Sequence, residues 1–121
     1  MKYYLIAGEA SGDLHGSNLM IGIREADINA DFRYFGGDLM QARGGSLVRH
    51  YRDMAFMGVW KVLMNLGTIT RNLNFCCKDI LDFQPNVIIL IDFPGFNLRI
   101  ARYARKKGLK VFYYISPKVW A

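Results

Sequence analysis

The sequence predicts an α/β fold built on an open parallel sheet of about five strands, with helices on both faces. Three observations predict it. Apolar residues alternate between strand-like and helix-like periods along the whole chain. Val87 to Ile91 is a continuous apolar run, the pattern of a central parallel strand covered on both sides. A glycine-rich turn, Gly8-Glu9-Ala10-Ser11-Gly12, follows the first strand and leads into a helix. Together they describe a Rossmann-like architecture, and the 121 residues suit one domain spanning 1–121.

The elements follow in order. Lys2 to Ala7 reads as a strand, and Asp13 to about Ala26 as a helix with Ser11 or Asp13 available as its cap. Phe32 to Phe35 is a short second strand closed by Gly36-Gly37, and Asp38 to Arg43 a short helix ending at Gly44-Gly45. Leu47 to Tyr51 carries the weakest strand signal. Met57 to about Phe83 reads as helical with a break near Gly67, and Pro85 ends it. The strand 86–91 follows, then a loop from Asp92 to Phe96. Asn97 to Lys107 reads as a helix stopped by Gly108, and Lys110 to Ile115 as the last strand. With the usual strand order 3-2-1-4-5, the turn after the first strand and the loop at Asp92 line one crevice at the carboxyl edge. The sequence ends at Ser116-Pro117-Lys118-Val119-Trp120-Ala121, where such a sheet ordinarily continues into a helix, so a fragment of a longer protein is expected.

Composition narrows the function classes. At 52% hydrophobic and 21% charged residues, intrinsic disorder is excluded. No apolar run is long enough to span a membrane, and Gly8-Glu9 cuts the first one too short for a signal peptide. A cytoplasmic protein, soluble or peripheral, is the expectation. The net charge of +6 is local: Arg99, Arg102, Arg105, Lys106, Lys107, Lys110 and Lys118 fall together with no acid among them. That segment is either a solvated helix face or a surface attracted to phosphate or an acidic membrane. No base-reading motif accompanies it, so nucleic acid is not expected as a partner. The adjacent Cys76 and Cys77 read as reduced, partly buried hydrophobes. His15 and His50 have no partners at ligand spacing, so no metal is expected.

Several residues carry candidate chemistry. The first turn has neither the dinucleotide glycine spacing nor a phosphate-loop lysine, and Glu9 and Asp13 disfavour a nucleotide phosphate there. Asp92 stands at the mouth of a buried strand, where a carboxylate serves either as a general base or as a cap for its own loop. Asn97 either caps the following helix or points its amide at a ligand. The stretch Met54 to Leu66 is strongly apolar, which fits a core helix or a surface for acyl chains and bilayer.

Five blocks resemble the lipid-A-disaccharide synthase family, in the family's order: Ala7-Gly8-Glu9-Ala10-Ser11-Gly12-Asp13-Leu14-His15-Gly16, Phe35-Gly36-Gly37-Asp38-Leu39-Met40, Met57-Gly58-Val59-Trp60-Lys61-Val62-Leu63, Ile91-Asp92-Phe93-Pro94-Gly95-Phe96-Asn97-Leu98 and Tyr114-Ile115-Ser116-Pro117-Lys118-Val119-Trp120-Ala121. The resemblance implies the N-terminal, acceptor-side half of a GT-B glycosyltransferase that needs no cofactor or metal. Its partners would be an acylated glucosamine phosphate acceptor, a UDP-sugar donor held by the other half, and the cytoplasmic face of the inner membrane. It implies Asp92 as the catalytic carboxylate. Gly8, Glu9, Ser11, Gly12, Asp13, Asn97 and Ser116 would bind substrate. Met54, Phe56, Met57, Val59, Trp60 and Leu63 would meet acyl chains or the bilayer. Two positions depart from the family: Gly95 stands where a second Asp is frequent, and Lys118 where Ser is common. A GT-B transferase with another acceptor and a non-catalytic Rossmann-like binding module are the alternative readings.

Overall fold

The computed structural model describes residues 1–54 and 66–115. Five strands, β1 (Lys2–Ala7), β2 (Asp31–Gly36), β3 (Ser46–His50), β4 (Val87–Ile91) and β5 (Val111–Tyr114), form one sheet in the order β3-β2-β1-β4-β5. Every neighbouring pair is parallel. The helices are α1 (Ala10–Ala26), α2 (Asp38–Gln41), α3 (Leu66–Phe83) and α4 (Pro94–Lys106), with a 3-10 turn at Tyr51–Asp53. The expected fold class and strand order are therefore those observed.

Alternation along the strands divides the core into two layers. Tyr4 and Ile6 of β1, with Ile88 and Leu90 of β4, pack under α3 and α4 against Cys76, Ile80, Phe96 and Ile100. Leu5 and Ala7, with Ile89 and Ile91, face the opposite way against Met20 of α1 and Met40 of α2. All five residues of β4 are buried, as a strand covered on both faces requires.

Two helix starts differ from the sequence expectation. The helix expected from Asp13 begins at Ala10, with Glu9 as an extended cap residue that makes no side-chain capping bond. Neither Ser11 nor Asp13 caps it; the first turn is closed by the Asp13 amide donating to the Glu9 carbonyl at 2.9 Å. The helix expected from Asn97 begins at Pro94, where a fixed φ and a missing N–H cost nothing. Met54, expected against acyl chains or bilayer, is buried in the layer under α3 and α4. Phe56, Met57, Val59, Trp60, Leu63 and Ser116 lie outside the described residues.

Two carboxylates inside the fold carry structural bonds. Asp13 is 3% exposed, and its oxygens accept from the backbone amides of Gly37 (2.9 Å), Leu39 (3.0 Å) and Met40 (3.0 Å). Those are orphan donors of the first turn of α2, so α1 caps its neighbour from outside. Glycine at 37 is required by close approach, because a Cβ there would lie 2.7 Å from Asp13 Oδ2 and collide with the Tyr51 ring. On the other face, Asp79 of α3 accepts from Arg33 Nε (2.7 Å), Arg33 Nη2 (2.6 Å) and the buried Tyr4 hydroxyl (2.7 Å). This joins α3 to β2 and β1. Burial alone would raise the Asp79 carboxyl, but the bonds from Arg33 and Tyr4 outweigh it and hold the group below its ordinary value.

A depressed carboxyl contributes stability that is complete above its unfolded pKa, near 4, and is lost as pH falls through the lower folded value. Arg33→Met should therefore cost about 1–3 kcal/mol at pH 7. The difference from the wild type should shrink below about pH 4. Urea unfolding at pH 7 and pH 3 checks this, and a gap of equal size at both would contradict it.

Candidate functional site

The candidate site lies at the carboxyl ends of β1 and β4. Their register pairs Ala7 with Ile91, which brings Gly8-Glu9 beside Asp92-Phe93. Open parallel sheets take ligands at this point, where connections from neighbouring strands leave in opposite directions. Glu9 and Ser11 are exposed on the rim, while Gly8 and Gly12 are buried beneath it.

Asp92 and Phe93 both adopt left-handed backbone, with φ of 46° and 53°. For residues with a side chain this conformation costs on the order of 1–3 kcal/mol each and persists only where neighbours enforce it. Enforcement here is explicit. The Asp92 amide donates to the Tyr114 carbonyl at 2.9 Å. The Asp92 carbonyl accepts from Asn97 Nδ2 at 2.9 Å and from the Tyr113 hydroxyl at 2.8 Å. The result is a carboxylate residue 7% exposed, held at the end of a fully buried strand.

The left-handed turn also lays the Phe93 ring over Gly8, where a Cβ would collide with it. Phe93 in turn stacks on Phe96, with centroids 5.6 Å apart. Gly8 thus takes part by leaving room for the ring that closes the turn.

Asn97 is fully buried, and its amide nitrogen also faces the carbonyls of Ile6 (3.3 Å) and Ile91 (3.4 Å). It ties the ends of β1 and β4 to the first turn of α4. Its Oδ1 is buried with no hydrogen-bond partner. Asp13, directed at α2, stands apart from the Asp92 side of the crevice. Gly95 is exposed in the first turn of α4 with open space around its Cα.

Sequence reasoning missed several residues at this edge. Tyr113 and Phe93 escaped because their roles are a hydroxyl directed at a main-chain oxygen and a ring laid over a glycine. His15 packs on Tyr114 with ring centroids 5.5 Å apart. Farther along, at the ends of β2 and β3, His50 Nε2 lies 3.0 Å from Asp38 Oδ1, and Arg52 Nη2 is 3.7 Å from the other carboxylate oxygen. Among the described residues no group of three or more His, Cys, Asp or Glu is placed to hold a metal ion. Cys76 is buried and Cys77 half-buried, and burial pushes both thiols up, away from the thiolate form.

Comparison with known proteins adds independent findings. The family described as Lipid-A-disaccharide synthetase matches residues 3–121. The lipid-A-disaccharide synthase of Geobacter metallireducens is 43% identical over 120 residues, covering 99% of this chain and 31% of its own length. That of Trichlorobacter lovleyi is 41% identical over 120 residues, with the same coverage of each chain. That of Chromohalobacter salexigens is 38% identical over 121 residues, covering all of this chain and 31% of the relative. The chain thus spans about a third of the length of these curated relatives. A solved structure of UDP-GlcNAc 2-epimerase from Neisseria meningitidis, bound to UDP-GlcNAc, superposes with a TM-score of 0.64 at 9% identity, covering 93% of this chain and 32% of the epimerase. That likeness concerns the fold.

The contact between Gly8 and Phe93 is directly testable. Gly8→Ala should destabilise the protein by about 1–3 kcal/mol through overpacking. Adding Phe93→Ala should recover most of that loss, so the double variant falls well short of additivity. Urea denaturation of the four proteins measures it, and additive losses would show that the ring and the glycine do not oppose each other.

Proposed function

Since the chain belongs to the lipid-A-disaccharide synthetase family, we propose that it forms the acceptor-side half of an inverting GT-B glycosyltransferase of lipid A synthesis. Asp92 is the proposed general base. The reaction joins UDP-2,3-diacylglucosamine to 2,3-diacylglucosamine 1-phosphate. The acceptor 6-hydroxyl oxygen bonds to the donor's anomeric carbon as the bond to UDP breaks on the opposite face. The hydroxyl proton passes to Asp92, and UDP leaves with the bonding electrons.

The observation that carries this reading is the placement of Asp92: a carboxylate residue at the end of a fully buried strand, on the rim of the sheet, with its main chain fixed by three hydrogen bonds. A base so held needs little reorganisation as the proton moves. Glu9 and Ser11 on the rim beside it are the proposed contacts for acceptor hydroxyls, and Gly8 and Gly12 shape the floor. Asn97 serves the acceptor through the backbone it holds, and Asp13 by fixing the α1–α2 side of the crevice. Donor diphosphate would be met by the remainder of the family's length. Phe56, Met57, Val59, Trp60 and Leu63, with the basic face of α4, would approach an anionic membrane surface from the cytoplasmic side. Arg102, Arg105 and Lys106 of that face are exposed, and no helix among the described residues is long and apolar enough to cross a membrane.

The test is a transferase assay with the two named substrates on protein expressed from the complete reading frame that carries this chain. Asp92→Asn should keep the fold and lower kcat by about 100-fold or more. Disaccharide at an undiminished rate from the variant would remove Asp92 as the base. Absence of product from the wild type would leave the fold but sink the transferase reading.

A further inference from the structure

We propose that Tyr113 is a positioning residue for Asp92, acting with Asn97 on its main chain; this deepens the functional reading above and rests on it. A base at a strand end is aimed by its backbone, because φ and ψ set the direction of the Cα–Cβ bond. At Asp92 that direction is an uncommon one, with φ at 46°, and the following residue repeats it at 53°. Without external donors such a turn would relax toward the extended or helical regions and swing the carboxylate away.

Two donors prevent this, and they come from different elements. Asn97 Nδ2 reaches the Asp92 carbonyl from α4 at 2.9 Å, and the Tyr113 hydroxyl reaches the same oxygen from β5 at 2.8 Å. A carbonyl oxygen has two lone pairs, so both are used. The Asp92 amide, donating to Tyr114 at 2.9 Å, supplies a third point of attachment from the neighbouring residue of the same strand. Three bonds from two elements fix the two peptides that flank the Asp92 Cα, one through its N–H and the other through its carbonyl.

The Tyr113 phenol is suited to the part. It is half-buried, and burial followed by the Asp92 charge pushes its pKa up, so it stays protonated and donating wherever a carboxylate base works. The hydroxyl serves the base through the peptide and need not touch substrate. Asn97 performs the companion task while also holding the carbonyls of Ile6 and Ile91, so removing it would loosen the sheet as well. Tyr113 is the cleaner probe, since phenylalanine keeps the ring and removes only the hydroxyl.

The experiment is a double-variant cycle on protein from the complete reading frame, using the transferase assay. Tyr113→Phe should lower kcat about 10-fold or more with KM for both sugars unchanged, because aim is lost and binding is not. In an Asp92→Asn background the same substitution should change nothing further, since there is no base left to aim. A Tyr113→Phe protein with wild-type kcat overturns the inference, as does an equal fold-loss in both backgrounds, which would mark a general loosening. A rise in KM with kcat preserved overturns it too, by making Tyr113 a binding group. An inactive wild type overturns the functional reading and this inference with it, and is told apart from the others by the absence of any product.

Discussion

The pairing of β1 with β4 is the constraint from which the rest of this molecule follows. Both strands are interior, parallel and covered on two sides, so all of β4 and Tyr4 to Ala7 of β1 are buried irrespective of direction. Their register, Ala7 against Ile91, leaves no slack at the carboxyl ends. Two chains must leave the sheet side by side, one upward into α1 and one into α4. Glycine at position 8 and a left-handed turn at 92–93 are the joint solution. Neither works alone: the ring of Phe93 needs the missing side chain of Gly8, and the turn that brings the ring there needs the donors around Asp92.

Three carboxylates in or near the core show how one group type takes different work. Asp13 and Asp79 each accept three protein hydrogen bonds and are spent as connectors, one between helices and one between a helix and the sheet. Ionised groups satisfied in this manner are stable but chemically quiet. At Asp92 the main chain is held, by Asn97, Tyr113 and Tyr114.

Much of the fold was legible because hydrophobic period and strand order are redundant signals. The run from Val87 to Ile91 announced a central strand, and the alternation around it left few topologies. Two helix starts differ from the sequence expectation, and for one reason. In sequence Asp13 and Asn97 read as residues at or before the first turn, since short polar side chains favour caps. Each instead stands at the fourth position of its helix, where the side chain leans back toward the N-terminus and over the sheet edge. From there Asp13 captures the start of α2, and Asn97 captures the ends of two strands. Asp92 and Gly8 were found because strand ends and glycine turns are local patterns. Tyr113 was not, because its partner is a peptide carbonyl 21 residues away and no residue type signals that.

The β1–β4 ladder also has a temporal meaning. The Lys2 amide meets the Asn86 side chain across 84 residues, and Asn97 meets Ile6 across 91. Contacts so distant in sequence close late, after loop entropy has been overcome. During synthesis the first strand leaves the ribosome long before its central partner exists, and must shelter against β2 while one edge stays open. The peptide bearing Asp92 is locked only when Tyr113 and Tyr114 have followed. A nascent chain therefore has β1 paired on one side before β4 exists, and for that interval the other edge of β1 is open to pairing with a neighbouring nascent chain.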